Sequence, residues 1–514
     1  MYLSIKRIMI AGFALTAMLV VACTAENNSP PNTTVQTDSS ENALEAPQST
    51  QLSKDALQAL GEEVASWVES GDPVGAEILV AQHGDTVFHE VYGWDDREEG
   101  RLLERNSIFR LRSMTKPIVG TAVLMLAEDG RLGLDDTVAQ YLPSFENDRS
   151  RSITIRQLLT HTSGLGGAGW NDIALSKSRA TGYESLRALV DEIGEIGPAA
   201  AAGDFHYSDS GSSTLGAIVA EVSGMPAEQF IEERILQPLG MTDTYSRFEP
   251  DAPWAKRMNS TYQMPEASCD LEKYWDRSMA QNFQYFRASG GLYSTTGDYM
   301  RFLSMWMNRG VHADKRLLSE ATVEAALTPY IDAGYGMHWR ISVSRMMNGL
   351  PVEFGHGGSD GTLAMAFPEL DTTVLFFTQS RRSRARGRLM QALAGVEPFS
   401  DILPNDPRRL AFEEQWEKAN ERTQEAPENA DKYAGTYSQG DVQHEVVLQD
   451  KQLSYIFSSN SIATPIKQIA DGVFIGKHPC YHIVFRITFD AVNDEALKYR
   501  FEAGDGWEAE FSRH

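Results

Sequence analysis

Cysteine is scarce in this chain, with only Cys23, Cys269 and Cys480 among 514 residues, so no disulfide framework can carry the fold. Cys269 and Cys480 lie far apart; a single bridge between domains and two unpaired buried thiols are both open readings. Basic residues are outnumbered, 46 Lys plus Arg against 71 Asp plus Glu, and the formal charge of −25 argues against nucleic acid and anionic membrane surfaces as partners. No Cys and His cluster has metal-ligand spacing, so neither a metal nor another cofactor is expected. Internal repeats and heptads are missing too, which disfavours a self-assembling structural protein. No apolar run reaches the roughly 20 residues that a membrane-spanning helix needs. What remains, 42% hydrophobic and 23% charged residues, is the composition of a folded protein long enough for more than one domain.

The start of the chain reads as an address. Lys6 and Arg7 precede an apolar run from Ile8 to Ala22, the pattern of a signal peptide over residues 1–22. The run ends Val20-Val21-Ala22-Cys23, which resembles the bacterial lipoprotein cleavage box with Cys23 as the lipidated first residue. Cleavage nearby, after Ala25, is the alternative and would release a soluble exported protein. Residues 23–51 are rich in Ser, Thr, Asn, Pro and Gln and serve as a flexible tether. The expected location is the cell envelope, on the periplasmic side. Thr24 after Cys23 lacks the Asp that retains many Gram-negative lipoproteins in the inner membrane, which points to the outer membrane in such a cell.

Residues 52–403 read as one domain. Ser53 caps a helix whose apolar positions Leu57, Leu60, Val64 and Val68 recur at helical spacing. Strands over 76–82 and 86–92 flank the turn His83-Gly84-Asp85. Helical patterns dominate from Ser113 to about Phe302, and strands return near 335–345, 352–355, 362–367 and 373–378. Strands early and late with helices between predict an α+β fold: an antiparallel sheet assembled from both ends, flanked by helices and a helical subdomain. Residues 404–430 are a charged, partly helical linker. From 431 to 514 alternation takes over, as in Tyr481 to Phe489, and predicts a small all-β, barrel-like domain that covers or stabilises the first.

Three segments carry chemistry. In Ser113-Met114-Thr115-Lys116 a serine opens an apolar helix through Val119, Val123, Leu126 and Ala127, and serine and lysine three apart share a face. A serine hydroxyl becomes a nucleophile once a neighbouring base takes its proton, and a lysine of lowered pKa can be that base. The bland reading makes Ser113 a cap and Lys116 a solvated first-turn residue. Tyr207-Ser208-Asp209 precedes a helix around Thr214 to Val222, and its phenol, with a reference pKa of about 10, suits a second proton carrier; otherwise Tyr207 merely packs its loop. His356-Gly357-Gly358-Ser359 lies at a strand edge where glycines admit a substrate close to the backbone, and N–H groups there could hold an oxyanion together with that of Ser113. His356 could equally be a satisfied structural histidine. Gly357-Gly358-Ser359-Asp360-Gly361 also fits the G-x-S-x-G elbow, but that motif needs a helix after the serine, whereas Thr362 to Phe367 reads as strand.

In order and spacing the three segments resemble the active site of the serine β-lactamase and penicillin-binding-protein superfamily, in its class C β-lactamase and D-alanyl-D-alanine carboxypeptidase branch. His161-Thr162-Ser163-Gly164-Leu165, Gly290 to Thr295 and Tyr335-Gly336-Met337-His338-Trp339 resemble the same branch, and the likeness spans about residues 55–380. It implies a β-lactamase-like fold and a serine hydrolase with Ser113 as nucleophile, Lys116 as its base, Tyr207 as second proton carrier, and the N–H groups of Ser113 and Ser359 as oxyanion hole. Two departures bear on substrate. Asp209 stands where the branch's lactamases have Asn, and an ion pair with Lys116 would raise the lysine pKa and blunt its basicity. His356-Gly357-Gly358 replaces Lys-Thr-Gly and removes a permanent cation that receives a substrate carboxylate. The expectation is therefore weak or absent β-lactamase activity and hydrolysis of a small ester or peptide-type amide. The alternative is a non-catalytic lipoprotein that binds cell-wall peptides or a partner protein through the same cleft. Nothing in the sequence sets the oligomeric state.

Overall fold

The computed structural model describes residues 51–165, 182–265, 268–279, 283–330, 334–342, 346–347, 349–403, 407–421, 426–427, 429–439, 442–457, 462–480, 482–490, 498–504 and 508–513. The leader, Cys23 and all of the tether before residue 51 lie outside these. Among the described residues no helix is long and apolar enough to cross a membrane.

A seven-stranded antiparallel sheet forms the first domain's centre. Its order is Arg340–Ile341, Phe354–Gly357, Leu363–Phe367, Thr372–Thr378, Gly75–Gln82, Asp85–Asp96, Arg101–Leu102. The first long strand thus pairs with the last, Ala76 opposite Thr378 through Gln82 opposite Thr372, so the sheet is closed from both ends of the domain as the sequence predicts. Side chains alternate across a strand, and both faces here are covered. Ala76, Ile78 and Val80 enter one layer with Leu57, Leu60 and Val64 of helix Lys54–Glu69 and Leu389 and Leu393 of helix Ala385–Ala394. Leu79, Leu375 and Phe377 enter the other, with Ile118, Val119 and Ala122 of helix Thr115–Glu128, Leu215 and Ile218 of Asp209–Ser223 and Phe302 of Thr296–Met307. Ser53 caps the first helix as expected, its side chain accepting from the Ala56 N–H.

Between Ser113 and Phe302 the structure departs from the helical reading. Strands Thr261–Gln263 and Glu272–Trp275 form a small sheet with Ser380–Arg381, and Tyr293–Ser294 pairs with Phe109–Arg110. Two- to four-residue strands are too short to show a period of two, which is why the pattern misses them.

The C-terminal domain is a closed barrel of eight strands from Gly435–Gln439 to Glu508–Arg513, each paired antiparallel with the next and the last with the first. Closure leaves no free sheet edge. Aromatic side chains fill it, among them Tyr437, Tyr455, Phe485, Tyr499 and Phe501. Helix Pro407–Asn420 lies against it through Phe412 and Trp416, which meet Ile475 and Val484. Cys269 and Cys480 are joined in a disulfide, so of the two readings of these thiols the bridge is the one realised. It ties the loop between Thr261–Gln263 and Glu272–Trp275 to the barrel.

Candidate active site

Helix Thr115–Glu128 is buried along most of its length, and Pro117 sits in its first turn, where a missing N–H costs nothing. Ser113 lies just before it in the 3-10 turn Arg112–Met114, and no side chain caps the helix, so the capping role that competed for Ser113 is not the one it plays. Lys116 follows in the first turn with its side chain fully buried. Helix Asp209–Ser223 packs against this helix. Its N-cap is Ser208, whose hydroxyl accepts the Gly211 N–H at 2.8 Å; it begins five residues before the sequence-based start, because the cap sits inside the second segment itself.

These two helix starts meet. Lys116 Nζ donates to Ser113 Oγ at 3.2 Å, to Asp209 Oδ1 at 2.6 Å and to the Ser289 carbonyl at 2.9 Å. Arg287 donates to the other carboxylate oxygen at 2.9 Å. The half-exposed Tyr207 ring lies 4.8 Å from the lysine nitrogen. Burial pushes the Lys116 pKa down, but Asp209 and Tyr207 together outweigh it and the net shift is upward. Burial likewise works against ionised Asp209, yet Lys116 and Arg287 hold its carboxyl below the usual range. The resting pair is an ammonium and a carboxylate.

The third segment, His356 to Ser359, spans the end of strand Phe354–Gly357 and the turn to strand Leu363–Phe367. A strand, not a helix, follows Ser359, and the nucleophile-elbow alternative fails on that ground. Gly358 is pressed against the Ser113 turn, and a Cβ there would come within 2.1 Å of the Leu111 carbonyl oxygen. His356 is turned inward. Its Nδ1 lies 3.0 Å from the Gly357 carbonyl and its Nε2 3.0 Å from the Tyr335 hydroxyl. That hydroxyl is also 3.2 Å from His161 Nε2, and His161 Nδ1 accepts the Ser208 N–H at 3.1 Å. The chain ends on a fixed donor, Ser208 N–H, and a fixed acceptor, Gly357 C=O, so for neutral imidazoles every proton between them is assigned. His161 carries its proton on Nε2 and donates to Tyr335, which donates to His356, whose proton is on Nδ1. Burial drives both histidine pKa values well down, and the rings are neutral. The Tyr207 ring lies tilted at 4.5 Å from His161 and 6.3 Å from His356, which joins the second and third segments.

Five contributors escaped the sequence reading. Arg112 has φ +51°, a conformation that L-residues adopt rarely, and its Nε donates to the buried Asp360 Oδ2 at 2.6 Å while Tyr274 donates to Oδ1 at 2.6 Å. The residue before Ser113 is therefore pinned to the residue after Ser359. Ser289 and Arg287 belong to the loop before Gly290, where only the glycine segment drew notice. Arg386 supplies a permanent cation from another element: Nη2 donates to the Thr362 carbonyl at 2.7 Å, and Nη1 would lie 2.9 Å from a Cβ on Gly357. Histidine at 356 thus leaves a guanidinium beside the strand edge. Among the described residues no cluster of His, Cys, Asp and Glu has the arrangement of a metal site.

Comparisons with known proteins bear on the family and the fold. The chain is 31% identical over 280 residues to Esterase EstB of Burkholderia gladioli, covering 49% of this chain and 69% of that one. It is 27% identical over 346 residues to Protein Rv1367c of Mycobacterium tuberculosis, covering 59% and 85%. Its fold is shared with the octameric penicillin-binding protein homologue from Pyrococcus abyssi, at a TM-score of 0.58 and 20% identity over 89% of this chain and 100% of that chain. It is shared also with EstCE1, a hydrolase with promiscuous acyltransferase activity, at 0.55 and 22% over 64% and 94%. The sequence profile named Beta-lactamase matches residues 58–396, the stretch that builds the sheet, its helices and all three segments, and the chain belongs to the beta-lactamase family.

Proposed function

We propose that this protein is a serine hydrolase that cleaves a small ester or peptide-type amide through an acyl-enzyme, with weak or no β-lactamase activity. The observation that carries the reading is the Ser113 hydroxyl 3.2 Å from a fully buried lysine nitrogen that Asp209 and the Ser289 carbonyl hold in place. Ser113 Oγ attacks the carbonyl carbon, the Oγ–C bond forms, and the hydroxyl proton passes to Lys116 in its free-amine form. The N–H groups of Ser113 and Ser359 take the charge on the carbonyl oxygen. The proton then reaches the leaving oxygen or nitrogen by way of Tyr207, and the C–O or C–N bond breaks. Water attacks the acyl ester in the second half, giving its proton back through the same groups and freeing Ser113. Because Lys116 rests as the ammonium, the free amine is scarce at neutral pH and acylation by any substrate is slowed; the weak penicillin turnover follows from His356 standing where the branch's lactamases have a lysine. EstB is named an esterase, which agrees with this class.

The test is intact-mass spectrometry of the chain from residue 52, with and without Ser113→Ala, after treatment with a fluorophosphonate, a penicillin and a p-nitrophenyl ester. One adduct that the variant lacks, with ester turnover and little penicillin turnover, is the expected result. Adducts from none of the reagents would instead favour a non-catalytic protein binding cell-wall peptides or a partner. The envelope location belongs to the same proposal: Cys23 carries a lipid at the periplasmic face, seen as incorporation of labelled palmitate that Cys23→Ala abolishes.

A further inference from the structure

His338 stands fully buried against the first turns of helix Thr115–Glu128, in a left-handed conformation with φ +63°, which L-residues adopt rarely and which persists where the surroundings impose it. Three helices impose it. Its backbone N–H donates to the Leu159 carbonyl at 2.9 Å, at the end of helix Ile155–Leu159. Its Nδ1 lies 2.8 Å from the Lys116 carbonyl, and its Nε2 lies 3.3 Å from the Ser212 hydroxyl of helix Asp209–Ser223. The ring stacks on His161 at 5.3 Å. Helix Thr115–Glu128 has a glycine where the side chain lands: a Cβ on Gly120 would come within 3.1 Å of the His338 Cβ. Glycine is costly inside a helix, and here it admits the histidine.

The hydrogen-bond inventory fixes the state of the ring. A carbonyl only accepts, so Nδ1 carries a proton and donates to Lys116. Burial pushes the His338 pKa down to about 3, which leaves Nε2 as an acceptor. The Ser212 hydroxyl faces both this nitrogen and, at 3.1 Å, the Ser208 carbonyl, and its one hydrogen serves the two acceptors. Lys116 and Ser208 are thereby joined through an imidazole and a hydroxyl, alongside the side-chain pair of Lys116 with Asp209. Asp209 and Tyr207, which raise the Lys116 pKa, both adjoin Ser208 in the chain. Arg287 and Arg112 act on Asp209, and the imidazoles of His161 and His356, like that of His338, are kept neutral by burial. The proposed reaction has no step that uses His338.

We propose that His338 is a positioning residue of the hydrolase: its bridge from the Lys116 carbonyl to Ser212 and Ser208 sets the spacing of the two helix starts, and with it how closely the lysine nitrogen stands to Asp209 and to Ser113 Oγ. The inference rests on the hydrolase reading above and deepens it. An imidazole that only filled space would need neither the left-handed backbone nor a partner at each ring nitrogen. Without the bridge the two starts are held by the ion pair alone. A wider spacing takes the amine away from the hydroxyl and weakens the hold of the carboxylate on the lysine proton.

Ester hydrolysis by His338→Gly tests it, because glycine accepts the backbone conformation and removes the bridge. With p-nitrophenyl butyrate, kcat falls about tenfold or more while KM changes by less than about twofold, and the ascending limb of kcat/KM against pH moves to lower pH. Added imidazole restores kcat and the limb together. 1-Methylimidazole fills the same space but has no N–H for the Lys116 carbonyl, and it restores neither. Ser212→Ala keeps the ring and removes the far end of the bridge; it moves kcat and the limb in the same directions by a smaller factor, and it decides the matter alone if His338→Gly does not fold. An unmoved limb in folded His338→Gly or in Ser212→Ala overturns the proposal, whatever happens to kcat. Rescue by 1-methylimidazole as complete as by imidazole also overturns it, because the ring then only fills space. No ester turnover by the wild type, with no Ser113 adduct, removes the hydrolase reading and this role with it.

Discussion

Asp209 Oδ1 accepts a hydrogen bond from Lys116 Nζ at 2.6 Å while Lys116 also donates to Ser113 Oγ at 3.2 Å, so one carboxylate sets the protonation of the group beside the hydroxyl. The Lys116 pKa is raised against the effect of burial by this neighbour together with Tyr207. In Asp209→Asn the charge is gone and burial remains, so the lysine pKa falls. The ascending limb of kcat/KM against pH then moves to lower pH, and activity near neutrality rises. An unmoved limb in a folded variant shows that Lys116 is not the titrating group.

How much of this site is legible in the sequence depends on the distance over which each contact is made. Ser113 and Lys116 sit on one turn, and a local motif carries them. Asp209 could be read as an ion-pair partner for Lys116 because the three segments resemble a known arrangement. Arg112 and Asp360 meet across 248 residues and Arg287 and Asp209 across 78, with no periodic or compositional trace. His161 and Tyr335 stand in segments whose likeness to the branch was visible, yet their role exists only once a third chain segment brings His356 to the same hydroxyl. The sheet built from both ends was legible because strands Gly75–Gln82 and Thr372–Thr378 are long and apolar. The barrel's strands show as alternation, but its closure depends on pairing of the first with the last.

The pair of Arg112 and Asp360 holds the turn on which Ser113 stands, with Arg112 in a left-handed conformation. Arg112 and Tyr274 keep the Asp360 carboxyl below its usual range against burial. Asp360→Ala leaves a buried guanidinium unpaired, and breaking such a pair costs about 3–5 kcal/mol. A depressed carboxyl stabilises the fold above its unfolded pKa of about 4 and loses that contribution as pH falls through the folded value. Denaturant unfolding at pH 7 therefore shows the loss in full, and the gap between wild type and variant narrows towards pH 2. A gap that stays constant would assign the cost to packing alone.

The relay from Ser208 to Gly357 makes a spectroscopic claim. Nitrogen-15 shifts of the imidazoles at pH 7 give His161 protonated on Nε2 and His356 on Nδ1, both neutral; the opposite tautomer at either ring breaks the relay. Burial lowers both folded pKa values, so the folded state binds fewer protons than the unfolded one and stability is lost as pH falls below about 6.5. Tyr335→Phe removes the donor to His356 Nε2 and the acceptor for His161, and its melting temperature changes less steeply between pH 7 and 5 once either ring has room to charge.

The bridge between Cys269 and Cys480 joins residues separated by 211 positions, and a cross-link over a long loop restricts the unfolded chain strongly. Replacing both cysteines by serine costs about 2–4 kcal/mol by the usual range for such bonds. A second effect is local, because Cys269 lies in the loop that leads into strand Glu272–Trp275, whose Tyr274 holds Asp360 and whose Trp275 lies under Arg110. Freed from the barrel, that loop holds Asp360 and Arg110 less firmly. The Ser113 and Lys116 contacts are made by other elements. The double variant is accordingly expected to raise KM for the p-nitrophenyl ester more than it lowers kcat, and reductant is expected to do the same to the wild type. Loss of stability with both kinetic constants unchanged would make the bridge a staple for the barrel and nothing more.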